Sequence, residues 1–267
     1  MTIKGVKIIL NQKIELPAYI KEIVKTDKIQ IDNIGCSDSQ VIFFDNYVLK
    51  IEKEREESNN EHIMLQWLQD KLSVPYIYVS HKENDNNYLL MSKLKGQMAY
   101  SNYWLQRPKQ QIHLLAEGLK LLWAVDIGDC PYRNDIKNKL RLAKYRIENG
   151  LSGREDCEPE TYGDNGFESP SELLTWLVNN QPEEELVFSH GDYCPPNIFI
   201  SDNKISGFID LGRAGIADKW QDIALCVRSI GHNYGKDSVY TAQLFEELGI
   251  EANWEKINYY ILLDELF

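Results

Sequence analysis

The sequence predicts an α+β protein in two parts: a small N-terminal lobe built on antiparallel strands, then a larger, mainly helical C-terminal lobe. Three observations predict it. β-rich runs crowd the first 90 residues, helical apolar periodicity governs most of the remainder, and a compact set of short strands and turns interrupts the helices over residues 186–211. A chain of 267 residues suits one large domain or two lobes, and the boundary is expected just before Gly96, giving lobes of 1–95 and 96–267.

Each element has its own reason. Val41-Ile-Phe-Phe44 and Tyr47-Val-Leu-Lys-Ile51 flank Asp45-Asn46, a hairpin pattern. From Glu61 the period changes, and Ile63, Met64, Trp67 and Leu68 fall on one helical face. Pro75 precedes a further β-rich run, and Tyr88-Leu-Leu-Met91 reads as another strand. Strands with one helix are therefore expected in this part. Beyond it, Ile112, Leu115, Ala116, Leu119, Leu122 and Trp123 repeat every 3.6 residues. Lys137 to Ile147 reads as an exposed basic helix, and Gly150 to Pro170, rich in Gly, Pro and acids, as a loop. Helix returns from Ser171 to Asn179, again from Asp218, and at the end from Trp254 to Phe267.

Composition narrows the function. Acidic residues number 41 against 29 basic, a formal charge of −12. A general nucleic-acid binder needs a basic face, so that class is excluded. A cationic partner is compatible, although such charge often serves solubility alone. Residues 1–10 hold no long apolar core, so no signal peptide is expected, and no run approaches the roughly 20 apolar residues of a membrane span. The five cysteines, Cys36, Cys130, Cys157, Cys194 and Cys226, are odd in number and never at CxxC spacing. They read as reduced thiols of a cytoplasmic protein, with neither a zinc site nor a disulfide framework.

The chemistry concentrates in Val187-Phe-Ser-His-Gly-Asp-Tyr-Cys-Pro-Pro-Asn-Ile-Phe-Ile200. Apolar runs at both ends read as strands, and Pro195-Pro196 exclude a regular helix between them. His190, Asp192 and Asn197 are thus expected on a rigid loop. Thirteen residues further on, a second β-rich run ends in Asp210. Singly, these are ordinary turn and strand-end residues. In this order they supply what phosphoryl transfer needs: a carboxylate to take the proton of an attacking hydroxyl, and an amide oxygen and a second carboxylate as hard ligands for Mg²⁺.

The spacing His190-Gly-Asp192, four residues, Asn197, then Ile209-Asp210 resembles the aminoglycoside phosphotransferase family, which shares the protein-kinase-like fold. The 3′-phosphotransferase branch, acting on kanamycin and neomycin, is the nearest likeness. The runs Gly207-Phe-Ile-Asp-Leu-Gly-Arg-Ala-Gly215, Ala217-Asp-Lys-Trp220, Cys226-Val-Arg-Ser-Ile230 and the terminal Tyr259-Tyr-Ile-Leu-Leu-Asp-Glu-Leu-Phe267 resemble it too. The likeness is dense from about residue 183 to the end and patchier from about 34 to 127.

The resemblance implies a nucleotide-binding N-lobe and a catalytic, substrate-binding C-lobe. It implies Asp192 as catalytic base, and Asn197 and Asp210 as magnesium ligands. Lys50 corresponds to the phosphate-binding lysine and Glu61 to its helix partner. Ser37, in the one-glycine turn Ile34-Gly-Cys-Ser-Asp-Ser39, matches the family's short phosphate loop, and backbone groups near Leu94 match the hinge that reads the base. His190 is implied to orient the loop, and Asp222 to brace it through backbone N–H groups. Glu158, Glu160, Asp264, Glu265 and the α-carboxylate of Phe267 are implied to meet the substrate's ammonium groups, with Arg213 placing the cleft carboxylates. Three positions depart from the pattern. Val48 stands where the family often has an aromatic that stacks on adenine, leaving ATP or GTP as donor. His232 and Asn233 stand where it often has an acidic pair.

The expected activity is ATP-dependent phosphorylation of the 3′-hydroxyl of an aminoglycoside. Two alternatives stay open on the residues: a kinase of another small alcohol, and a non-catalytic nucleotide-binding protein. A protein-kinase reading is weak, because no HRD or DFG tripeptide stands at these positions.

Overall fold

The computed structural model describes residues 16–25, 30–32, 39–153, 157–164 and 166–267. Ser37 and Cys36 lie outside the described residues. The first elements are α1 (Ala18–Val24), β1 (Gln30–Asp32), β2 (Gln40–Phe43), β3 (Tyr47–Lys53), α2 (Glu56–Leu68), β4 (Ile77–Glu83) and β5 (Asn86–Ser92). The five strands form one antiparallel sheet in the order β1-β2-β3-β5-β4. Asp45-Asn46 forms the turn between β2 and β3, closed by Phe44 N–H donating to Tyr47 O at 2.9 Å. Asn84 and Asp85, with φ of 49° and 60°, make the β4–β5 turn with two left-handed residues, the conformation that matches strand twist.

Register decides what each face of this sheet meets. Ile42 pairs with Leu49 and Leu49 with Leu90, so the three share one face. They bury there with Ile20 and Val24 of α1. Lys50, one residue on, pairs with Val41 and Leu89 and points to the opposite face. Leu89 packs there among Met64, Leu65 and Leu68 of α2. The helix α1 corrects the expectation of strands with a single helix. It is short, and only Ile20 and Val24 mark its buried side. Helix α2 begins at Glu56, earlier than expected, where Arg55 N–H donates to the Ser58 hydroxyl at 2.9 Å. Ile63 is a second correction: it is 42% exposed, and Met64, Leu65 and Leu68 form the inward face.

The remainder comprises β6 (Gln97–Met98), α3 (Asn102–Leu105), α4 (Pro108–Trp123), α5 (Ile136–Glu148), α6 (Pro170–Asn179), β7 (Leu186–Ser189), β8 (Ile198–Ser201), β9 (Lys204–Phe208), β10 (Gly215–Asp218), α7 (Lys219–Tyr234), α8 (Val239–Leu248) and α9 (Trp254–Asp264). Strands β6, β8 and β9 form one small sheet and β7 pairs with β10 in another. The chain passes from β5 to β6 at Gly96, whose φ is +92°. A Cβ there would stand 2.1 Å from Ile200 O, so only glycine allows this approach.

Helix α4 buries Ile112, Leu115, Ala116, Leu119 and Leu122 against the helical core, as its period requires. At roughly 1.5–3 kcal/mol per fully buried Leu or Ile, this face is a principal anchor of the lobe. Helix α7 starts on Asp218, whose carboxylate accepts from Trp220 N–H. Helix α8 is an element the sequence reading did not assign, although its buried Thr241, Leu244, Phe245 and Leu248 recur at helical spacing. The last helix ends at Asp264, with Leu263 and Leu266 buried, so the tail packs. Helix α5 corrects the expectation of an exposed basic helix: Lys139 is 3% exposed, on the same side as Ile136 and Ala143. No helix of the described residues is long and apolar enough to cross a membrane.

Candidate active site

The alternation of β3 sets Lys50 on the face that meets α2, while its neighbour Leu49 fills the core under α1. Lys50 Nζ donates to Glu61 Oε2 at 2.7 Å and to Asp210 Oδ1 at 2.9 Å, with Glu52 at 3.5 Å. Desolvation disfavours the lysine's charge, but Glu61, Asp210 and Glu52 outweigh it and hold the ammonium well above the usual lysine range. Glu61 is 2% exposed and so depends on Lys50 for its charge. Glu52 is the looser member: desolvation, with Glu61 and Asp210 nearby, outweighs Lys50 and raises its carboxyl to about 7.

Helix α2 is tied to the far side of the cleft. Asn60 Nδ2 donates to Gly212 O at 2.9 Å and to Ala214 O at 2.8 Å. Asp210 itself takes a left-handed conformation, φ 59° and ψ 55°, rare for a residue with a side chain. Strain of this kind persists where the surroundings over-determine it, and Lys50 holds the carboxylate from above. Desolvation alone would raise this carboxyl; Lys50, with His190 and Arg213, brings it below the ordinary aspartate range.

The segment between β7 and β8 is held from beneath by Asp222 of α7. His190 N–H donates to Asp222 Oδ2 at 2.8 Å and Gly191 N–H to Oδ1 at 2.9 Å, with Asp222 fully buried. The His190 imidazole bonds Ile209 O through Nε2 at 3.0 Å and accepts Asp192 N–H at Nδ1 at 3.3 Å, so its expected orienting part matches its contacts. Gly191 has φ +82°, and a Cβ would lie 2.0 Å from Arg213 O. A 3₁₀ turn at Pro195–Asn197 returns the chain, and Asn197 Nδ2 donates to Asp192 Oδ2 at 3.0 Å. With its Nδ2 committed to Asp192, the Asn197 amide keeps its oxygen as an acceptor.

Beyond Asp192 stands a wall of paired charges. Arg213 donates to Glu57 at 3.2 Å and Asp264 at 3.3 Å, and Arg228 Nη2 donates to Asp264 Oδ2 at 2.5 Å. Burial would raise the Asp264 carboxyl, but Arg213, Arg228 and Lys139 hold it below its usual range. Glu265 accepts Glu158 N–H at 3.0 Å, bringing the acidic loop onto the C-terminus. Glu158 meets His232 Nε2 at 2.6 Å, and Glu160 meets Lys236 at 2.9 Å. The Phe267 ring lies 5.0 Å from Lys139 Nζ, 5.6 Å from Arg146 and 5.5 Å from Arg213. Asp192 acts electrostatically on both Arg213 and Arg228, which links this wall to the loop.

The structure therefore joins Lys50 with Glu61 and Asp210, Asp192 with Asn197, and Arg213 with Asp264, Glu265 and Glu158 through Arg228. Leu94 lies between β5 and β6, and its side chain packs at Gly207. The cavity of about 610 Å³ that Leu94 borders includes none of Lys50, Asn197 or Asp210. Two members of the wall escaped the sequence reading. Arg228 sits in an otherwise buried helix run, where an arginine demands a carboxylate. Lys139 falls three residues after Ile136 and four before Ala143, on the apolar stripe of α5, a period that would have found it.

A two-lobed architecture, with a lysine–glutamate pair above and an Asp–Asn loop facing a strand-end Asp below, defines a kinase-like phosphotransferase. A model of the phosphotransferase enzyme family matches residues 28–260, and the chain belongs to that family. It is 40% identical over 265 residues to an aminoglycoside 3′-phosphotransferase of Enterococcus faecalis, covering 96% of this chain and 99% of that one. A Staphylococcus aureus aminoglycoside 3′-phosphotransferase is 40% identical over 264 residues, with the same coverage of 96% and 99%. Among solved structures, a type VIII aminoglycoside 3′-phosphotransferase superposes with a TM-score of 0.78 at 23% identity, over 91% of this chain and 95% of that one. A Streptomyces rimosus aminoglycoside phosphotransferase in complex with ADP and streptomycin gives 0.76 at 21%, over 95% and 98%. At these identities the two superpositions bear on the fold.

Proposed function

We propose that this protein transfers the γ-phosphoryl group of ATP to the 3′-hydroxyl of kanamycin- and neomycin-type aminoglycosides, inactivating them and conferring resistance. The observation that carries the reading is 40% identity to curated 3′-phosphotransferases along 96% of the chain. The site supports it, because Lys50 bonds Glu61 and Asp210 while Asn197 donates to Asp192. Residues 1–95 form the nucleotide lobe and residues 96–267 the catalytic and acceptor lobe, in the cytoplasm.

Each residue then has a task. Lys50, steadied by Glu61, binds the α- and β-phosphates. Asp192 takes the proton of the 3′-hydroxyl as its oxygen bonds phosphorus and the bond to the ADP oxygen breaks. The transition state is loose, so positioning and charge neutralisation do most of the work. The donor set fits Mg²⁺: one amide oxygen, Asn197, and one ionised carboxylate, Asp210, are the few protein ligands a magnesium needs when phosphates and waters supply the rest. When bound, the metal neutralises phosphate charge. Backbone groups near Leu94 read the base, and Val48 leaves GTP as a second donor. Ser37, outside the described residues, is kept as a phosphate-loop residue.

The acceptor is polycationic, and Glu158, Glu160, Asp264, Glu265 and the Phe267 carboxylate are its partners, with Arg213 fixing Asp264. An ADP-release assay tests the function, with kanamycin, neomycin, choline and no acceptor in parallel. Turnover with the two antibiotics alone is expected. Tobramycin, which lacks the 3′-hydroxyl, should bind without gaining a phosphoryl group there. Rapid single phosphorylation of tobramycin by mass spectrometry would assign another regiochemistry.

A further inference from the structure

Arg228 and His232 stand one turn apart on α7, and Lys236 follows just past the helix end at Gly235. Gly235 has φ +97°, which turns the chain sharply there. Each of the three side chains holds a carboxylate from another segment. Arg228 holds Asp264 at 2.5 Å, His232 holds Glu158 at 2.6 Å and Lys236 holds Glu160 at 2.9 Å. The three pairs differ in exposure. The Arg228 side chain is 23% exposed, His232 58% and Lys236 67%. Lys236 and Glu160 are both solvated, at 67% and 70%, whereas the Glu158 partner of His232 is only 18% exposed.

We infer that His232 and Lys236 are specificity-determining residues: internal partners that occupy Glu158 and Glu160 and are displaced when the ammonium groups of the acceptor bind there. The inference rests on the aminoglycoside reading above. The exposed Lys236–Glu160 ion pair is close to neutral in free energy, because water solvates both partners nearly as well. Exchange of one such pair for a substrate ammonium is therefore feasible, whereas Arg228 stays, being hydrogen-bonded to a carboxylate that is almost buried. The chain's charge of −12 still draws a polycation toward the cleft while these internal partners weaken its final grip. Acceptors with more ammonium groups displace both and gain most.

The test uses Lys236→Gln, His232→Gln, their combination, and Lys236→Arg in the full-length enzyme. Removing a competing partner should lower KM for kanamycin by about threefold per site at low salt. It should leave KM for ATP unchanged and kcat within about twofold, because neither residue touches the Lys50 cluster. Lys236→Arg should behave as the wild type. The gain should shrink as salt rises, since screening weakens the original competition. Calorimetric titration of kanamycin without ATP should show the same gain in Kd. Unchanged or weaker kanamycin binding in variants with wild-type melting temperatures would overturn the inference. Wild-type turnover reads separately: if kanamycin is not phosphorylated, the acceptor reading fails, while the calorimetric comparison still decides the competition.

Discussion

Replacing Asp222 with asparagine removes a charge from beneath the Asp192 loop and almost no volume. The wild-type carboxylate accepts His190 N–H at 2.8 Å and Gly191 N–H at 2.9 Å, one on each oxygen. Asparagine offers one acceptor oxygen, so one of these buried N–H groups must face an NH₂ group instead. The loss is one charge-assisted hydrogen bond, about 1.5–3 kcal/mol, together with an unsatisfied donor, about 1–3 kcal/mol. Burial works the other way, since it holds the Asp222 carboxyl above its ordinary range, and the neutral amide escapes that penalty. The balance is a destabilisation of about 2–3 kcal/mol. At about 2–4 °C per kcal/mol for a domain of this size, the melting temperature should fall by roughly 5–10 °C. Gly191 directly precedes Asp192, so the base should be displaced as well. A shift on the order of 1 Å costs about 10² in kcat. Thermal unfolding and steady-state kinetics well below the transition separate the two effects, with KM for ATP expected to hold. Wild-type melting would refute the energetic argument, and wild-type kcat in the destabilised enzyme would refute the positioning argument.

Asp192→Ala should keep the fold and ATP binding while kcat falls by about 10² or more, the usual scale for a lost general base; near-normal turnover would remove Asp192 from that role. Asn197→Ala should raise the magnesium concentration needed for half-maximal rate, and an unchanged magnesium curve would sink the ligand assignment. Lys139 gives a pH prediction. Burial, only partly offset by Asp264, lowers its ammonium to about 8 from the ordinary 10.5. The unfolded chain therefore binds more protons between those values, and stability rises with pH across that window. Wild type should gain about 3 kcal/mol relative to Lys139→Met between pH 7.5 and 11. A difference in unfolding free energy that stays constant over this range contradicts the assigned burial.

Much of this molecule was legible before folding, for local reasons. β-rich runs identified β2, β3 and β5, the 3.6 period identified α4, and Pro195-Pro196 set a rigid loop between β7 and β8. Asp192, Asn197 and Asp210 could be singled out because their order and spacing along one segment mirror the parts of phosphoryl transfer. Helix α1 was missed because a short element with two buried residues carries no resolvable period, whereas α8 went unassigned despite Thr241, Leu244, Phe245 and Leu248 at helical spacing. Ile63 and Lys139 were misplaced because residue type was read in place of position on the helix.

Other features had no local trace. That Lys50 would rest between Glu61 and Asp210 depends on a residue 160 positions away, brought there by the packing of α2 on the 212–214 turn. The sequence by itself determined the charge of −12, the acidic loop and the acidic terminus. Tertiary structure alone decided which of those carboxylates are taken. Asp264 is clasped by two arginines, Glu265 receives a backbone N–H, Glu158 meets His232 and Glu160 holds the exposed ammonium of Lys236. A charge is a property of a residue, but whether it is free to meet a ligand depends on which opposite charge the fold brings within a few ångströms and how much water remains between them.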